Sequence, residues 1–217
     1  MSLSLQQAYD LMLNDLATFM NRVPVIVYGA GSKVNEVDYY LSLQGTQARG
    51  WNQGVATVEN RVRFTPTSQS GAKGPIKCIH IPVTEVEKLK PEHIVRVSHY
   101  DDAKFLCTTR LSGCTFAIRQ GQGNSIEFVH LRPTTDFPAK DLQRAAQNEF
   151  QTSFGRGDQN SNTTYDDTTY DDTTAANIIG VRKNGLWHIY VQHSDAQFNV
   201  IRSECIYRQP SGVQYVT

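Results

Sequence analysis

Residues 114–130 place apolar side chains at every second position on both sides of a glycine-bearing segment, and a period of two confines a chain to a sheet with one covered face. Phe116 and Ile118 follow Cys114 in this way, Ile126 and Phe128 lead to His130, and Gln120-Gly121-Gln122-Gly123-Asn124 lies between them. The pattern predicts a hairpin. A turn centred on Gln122 sets Ile118 opposite Ile126, Phe116 opposite Phe128 and Cys114 opposite His130. Directly opposed residues have Cβ atoms about 4.5–5.5 Å apart, which would bring a thiol to an imidazole. A slip of one residue would send Cys114 and His130 to opposite faces, so the apolar pairs favour a register that keeps them together.

The residues before the cysteine extend this constellation. Ala103–Thr109 reads as a strand and Leu111-Ser112-Gly113 as a sharp reversal, and a turn centred on Leu111 would put Thr108 opposite Cys114. Gly113 has no Cβ, so it tolerates unusual backbone angles and close approach by a substrate. A cysteine beside a protonated histidine has its pKa lowered from about 8.5 to roughly 3.5–7.5, which supplies a thiolate nucleophile. His130 is then the acid and base for departing ammonia and incoming water, and the backbone N–H groups at Ser112, Gly113 and Cys114 are the expected oxyanion donors. Taken singly, a strand cysteine is a small buried hydrophobe and a strand histidine a structural residue. It is their mirrored placement, with Ser-Gly before the cysteine, that points to catalysis.

Thr108, Leu111-Ser112-Gly113-Cys114 and the strand-borne His130 resemble the motif of the glutamine deamidase toxins, the family of cytotoxic necrotizing factor and Burkholderia lethal factor. The second also has threonine six positions before its cysteine. The spacing recurs more distantly in the bacterial chemoreceptor glutamine deamidase, with Gly-Ser-Cys in place of Ser-Gly-Cys. The match covers residues 108–133. The resemblance implies an α+β chain with a β-sandwich core of mostly antiparallel strands flanked by helices. It further implies conversion of a target protein's glutamine to glutamate, with Cys114 as nucleophile, His130 as base and Thr108 as third member.

The 217 residues suit a single domain over 1–217. Twenty-one basic and 21 acidic residues balance, so bulk electrostatics announces no nucleic-acid partner. Cys78, Cys107, Cys114 and Cys205 are spread without a Cys-x-x-Cys or a cysteine-histidine cluster, so free thiols are expected and neither a metal site nor a cofactor is. The start lacks a basic end and an unbroken apolar core, which argues against a signal peptide. Leu5, Ala8, Met12, Leu16 and Phe19 instead recur at helical spacing, with Ser4 as N-cap and Pro24 past the end. Without a basic face this helix is expected to pack on the sheet rather than on a membrane.

Gly29-Ala30-Gly31-Ser32-Lys33 lacks the spacing of a phosphate loop and reads as an ordinary loop. Strands are expected at Val23–Tyr28, Val37–Gln44, Ala56–Phe64, Ile76–Ile81, His93–Ser98, Phe198–Tyr207 and Val213–Val216, and a helix at Lys140–Gln151. Residues 153–176, with Thr-Thr-Tyr-Asp-Asp twice over, are expected to form a mobile low-complexity loop that contacts a target or is an inert insertion. Asn184-Gly185 joins Asn177–Arg182 to Leu186–His193 and is the strongest short hairpin signal, setting His188 opposite Val181. His188 and His193 make that strand the rival source of a base.

Three functions follow: a protein-glutamine deamidase, another Cys–His acyl-transfer enzyme such as a transglutaminase, thiol protease or small-amide hydrolase, or a β-sandwich interaction module without catalysis. The family implies a Rho-family GTPase or the translation-initiation RNA helicase as partner. The chain is expected to be a monomer, made in the bacterial cytoplasm without a classical signal peptide and, as a toxin, delivered to the host cytosol by other machinery.

Overall fold

Backbone pairing in the computed structural model sorts the chain into two main sheets, described for residues 3–31, 36–43, 48–49, 55–56, 61–85, 89–98, 102–122, 125–156, 164–165, 174–195 and 197–210. The helices are α1 (Leu5–Asn14), α2 (Leu16–Arg22) and α3 (Ala139–Glu149). The strands are β1 (Val25–Val27), β2 (Glu36–Leu43), β3 (Ala48–Arg49), β4 (Val55–Ala56), β5 (Val62–Thr65), β6 (Lys73–Ile81), β7 (Val83–Glu85) and β8 (Val95–Val97). They continue as β9 (Phe105–Leu111), β10 (Thr115–Gln120), β11 (Ile126–Arg132), β12 (Thr152–Arg156), β13 (Thr164–Tyr165), β14 (Thr174–Lys183), β15 (Leu186–Asp195) and β16 (Val200–Arg208). The larger sheet has the order β1-β5-β2-β6-β9-β14-β15-β16, and the smaller has the order β13-β12-β10-β11-β7, with β8 added to β11.

The two sheets enclose the central core of Ile81, Leu106, Cys114, Phe116, Ile118, Phe128, Phe154, Ile178, Trp187 and their neighbours. On its other face the larger sheet packs Tyr39, Cys78, Cys107 and Ile179 against Met12, Leu16, Phe19 and Met20 of the N-terminal helices. The smaller sheet packs Ala117, Val129 and Leu131 against Leu142, Ala146 and Phe150 in and beside α3. The result is an α+β chain, mostly sheet, whose two facing sheets are covered by helices. Among the described residues no helix is long and apolar enough to cross a membrane.

Local chemistry explains several boundaries. Ser4 Oγ accepts from Gln7 N at 3.1 Å and Gln7 Oε1 accepts from Ser4 N at 2.8 Å, a reciprocal cap that starts α1. The expected single helix breaks at Asp15, which ends α1 and caps α2 by accepting from Thr18 Oγ1 at 2.6 Å and Thr18 N at 3.1 Å. Those bonds hold the Asp15 carboxyl below its usual range. Asn184 and Gly185 have φ of 51° and 81°, the two positive angles of a type I′ turn, and Val181 pairs with His188 as expected.

Other expectations are corrected. The β10–β11 register is two residues from the one predicted, with Phe116 opposite His130, Ile118 opposite Phe128 and Gln120 opposite Ile126. The loop is longer than a turn centred on Gln122: Gly121 N donates to Ser125 O, and Ser125 N and Oγ both donate to Gln122 O. A shift of two preserves every side chain's face, so the apolar pattern accepts either register. Leu111-Ser112-Gly113 does not close a hairpin, because β9 belongs to the larger sheet and β10 to the smaller. The loop expected over 153–176 begins within β12 and ends within β14, with β13 inside it. Most of the Thr-Thr-Tyr-Asp-Asp repeat lies outside the described residues, as does Val213–Val216. Of the strand expected at Ala56–Phe64, Ala56 lies in β4 and 62–64 in β5, while 57–60 lie outside the described residues.

Candidate active site

The chain passes between the sheets twice in one region of the sandwich. One passage runs through Pro82, between β6 and β7, and the other through Ser112-Gly113-Cys114, between β9 and β10. Gly113 makes the second with φ of 103°, an angle that L side chains rarely adopt. His130 lies between the two passages, paired with Phe116 of β10 on one side and Val83 of β7 on the other.

Thr108 faces His130 across the sandwich, where its Oγ1 approaches His130 Nδ1 to 2.5 Å and donates to the Ile81 carbonyl oxygen at 2.7 Å. A hydroxyl has one proton. With that proton on Ile81, the oxygen can only accept, so Nδ1 carries the imidazole hydrogen and Nε2 presents a lone pair. Nε2 is buried with no hydrogen-bond partner. Leaving a buried acceptor unsatisfied costs about 1–3 kcal/mol, and such groups call for an explanation of the kind a reactive site supplies.

Cys114 sits one alternate position before Phe116, so its side chain shares the inner face with Phe116 and His130. The observed register makes Cys114 and His130 diagonal neighbours instead of directly opposed ones, a relation that typically sets Cα atoms about 7–8 Å apart. Thiol and imidazole are thus on one face but not hydrogen-bonded, since Nε2 is unpartnered and Nδ1 is held by Thr108. Cys114 is 8% exposed and His130 is 1% exposed, while Ser112 and Arg132 at the rim are exposed. Arg132 pairs with Glu85 at 2.9 Å on that surface.

Electrostatics departs from the thiolate–imidazolium pair expected from sequence. Burial pushes the Cys114 thiol up to about 11, against weaker pulls downward from the Ser112 backbone N–H and the Arg132 charge. Burial, then the nearby His80, lowers His130 to about 3. The resting pair is therefore a neutral thiol and a neutral imidazole. The Ser112 amide, expected to face an oxyanion, is directed at the sulfur.

The rival bases lie elsewhere. His188 is half-buried opposite Val181, and its pKa is lowered by burial and then by Lys183. His193 is buried, bonds Glu204 at 3.0 Å and meets the Phe154 ring edge-on at 5.4 Å. It pairs with Ala176, which in turn pairs with Leu111, so two strand spacings separate it from the strand leading to Cys114. The Ile81 carbonyl and Arg132 join the site without having been anticipated. The first is a backbone atom 27 residues from Thr108 with no sequence signal, and the second follows only from the correct register. No protein-family model matches the chain, and no curated protein matches it. No disulfide joins the four cysteines, and among the described residues no group of histidine, cysteine, aspartate and glutamate is arranged to hold a metal ion.

A neutral pair has a distinct pH signature. Alkylation of Cys114 by iodoacetamide, followed by peptide mass mapping, is expected to accelerate roughly tenfold per pH unit from neutrality towards about 11. A rate plateau between pH 4 and 8 would show a standing thiolate–imidazolium pair and contradict this assignment.

Proposed function

We propose that the chain is a thiol hydrolase that converts a glutamine side chain of a target protein to glutamate. The observation that carries the reading is the Thr108-fixed imidazole, whose unpartnered Nε2 shares a strand face with the cysteine that follows Gly113. Because the resting groups are neutral, deprotonation and attack are coupled: Nε2 takes the thiol proton as sulfur bonds to the carboxamide carbon. The new imidazolium keeps its Nδ1–H on Thr108 and delivers the other proton to the departing nitrogen. Ammonia leaves and a thioester remains. Water then attacks the thioester, Nε2 accepts its proton, and the thiol is regenerated as glutamate is released. The Gly113 and Cys114 backbone N–H groups are assigned to the oxyanion of both tetrahedral intermediates, where one such donor is typically worth about 10²–10³ in rate.

The proposal includes the fold likeness to the deamidase toxins that the motif implies, together with their protein targets and host-cytosol site of action. A sandwich flanked by helices is compatible with it. A second reading is favoured by one observation, the burial of both Cys114 and His130, which fits a non-enzymatic module with these residues in its core. The deciding experiment incubates the purified chain with a eukaryotic cell extract and maps Gln-to-Glu changes by mass spectrometry. A modification made by wild type and absent with Cys114→Ser supports the deamidase. Backbone cleavage, amine incorporation, or no Cys114-dependent change overturns it.

A further inference from the structure

A second cluster is built around Phe198 in the turn between β15 and β16, and three backbone and side-chain features converge there. Phe198 has φ of 65°, a conformation uncommon for a non-glycine residue and costing of order 1–3 kcal/mol. The β9–β14 ladder steps from Thr108 to Leu111 on β9 while β14 advances only from Ile178 to Ala176, so β9 carries a bulge at Thr109-Arg110. The extra residue returns Leu111 to the central core and re-aims Arg110, whose guanidinium carbon lies 4.1 Å from the Phe198 ring centroid. Arg61, at the start of β5, brings a second guanidinium to the same ring at 4.5 Å.

These cations are not neutralised within the described residues. Arg61 is 1% exposed, yet its Nε and Nη1 are buried without hydrogen-bond partners, its Nη2 being given to the Gln197 carbonyl. Arg110 Nε is likewise buried and unpartnered. The carboxylate near both, Asp195, has each oxygen engaged by Asn199, which donates from its backbone N and from Nδ2. A contrast lies elsewhere in the molecule, where Arg96 and Arg119 share the Glu127 carboxylate at 2.6 and 2.7 Å. Arg63, stacked 5.8 Å from the centroid of the exposed Tyr28 ring, adds a further cation beside the cluster through a residue whose Nε is also unpartnered.

We infer that Arg61 and Arg110, held over Phe198, form an oxyanion site that takes a phosphoryl group. Planar guanidinium forks match phosphate oxygens, and a doubly charged anion balances two cations that a single carboxylate would leave half-compensated. Burial, followed by the charge of Arg61, lowers Arg110 to about 10, against weaker upward pulls from Tyr28 and Asp195, the direction expected where one carboxylate only partly offsets two close cations. The site is independent of the thiol chemistry, since it lies on the Phe198 side of the bulge and not on the inner face that holds Thr108 and His130.

The test is calorimetric titration of the full chain with inorganic phosphate and, separately, with phenyl phosphate, at an ionic strength fixed with chloride. One saturable site per chain is expected, weakened at least about tenfold in Arg110→Gln by loss of a charge-assisted bond. Circular dichroism checks that the variant keeps its fold. Tighter phenyl phosphate assigns an esterified phosphoryl group as ligand, and tighter inorganic phosphate assigns the free anion. Should Arg110→Gln fail to fold, Arg110→Lys keeps the charge but removes the fork, and weaker binding is again expected. Absence of saturable heat with either probe, or undiminished binding by the folded variant, overturns the inference.

Discussion

Replacing His130 with alanine is expected to lower the rate of glutamine deamidation by a factor on the order of 10⁴ while leaving the thiol in place. General acid–base catalysis by one side chain contributes typically about 10²–10⁴, and a pair acting as a unit loses more than either member's separate share. The resting state sharpens the expectation here. Cys114 is held as a thiol up to about 11, so removing Nε2 removes the base that the proposed mechanism gives its proton to as sulfur attacks. Thr108→Val separates orientation from proton transfer. It keeps the volume but removes the oxygen that meets Nδ1 at 2.5 Å, freeing the ring to choose the other tautomer. Loss of an orienting partner typically costs about 10–100-fold, so this variant should fall between wild type and His130→Ala. Initial rates of ammonia release from the identified target, measured on variants with unchanged circular dichroism, check the order. Wild-type turnover by His130→Ala would remove the imidazole from the mechanism.

The second large effect concerns stability. Phe128 is fully buried between the sheets, 5.9 Å from the Phe116 ring and opposite Ile118 on the next strand. Phe128→Ala is expected to destabilise by about 3–5 kcal/mol, combining lost transfer energy with the cavity left behind. That is a large fraction of the roughly 5–15 kcal/mol that holds a domain folded. Urea denaturation of wild type and variant reads the difference. Leu43→Ala, at a side chain 52% exposed, is the control and should change stability by no more than about 0.5 kcal/mol. A Phe128→Ala change below about 1 kcal/mol would mean that the sheets are not packed as described.

What could be read from the chain beforehand was what neighbours in sequence decide. Ser4 and Gln7 announce the start of α1, Asn184-Gly185 dictates its own turn and register, and Phe116, Ile118, Ile126 and Phe128 declare a covered face. Period-two patterns fix parity and nothing finer, so the residue opposite Cys114 was set wrongly by two. The departure of the chain from one sheet to the other at Ser112-Gly113-Cys114 depends on which partners β9 and β10 find tens of residues away. A glycine turn between apolar runs looks the same whether it folds back or crosses over. Thr108 was placed beside the cysteine for the wrong reason: it reaches the site from the facing sheet, through His130. The neutral state of the pair was illegible because burial, the dominant influence on both groups, is a property of the packed sandwich.

The first strand of the larger sheet has a further significance. Val25 N donates to Gln192 Oε1 at 3.0 Å and Val27 N to Asn177 Oδ1 at 3.1 Å, although β14 and β15 are the sixth and seventh strands in the order. The sheet therefore coils until its leading rim is received by amide side chains in place of another main chain. Such a seam consumes the N–H groups that a foreign strand would need in order to attach there. It also makes the curl separable from the ladder: shortening Asn177 and Gln192 would loosen the rim while every inter-strand bond elsewhere stayed intact.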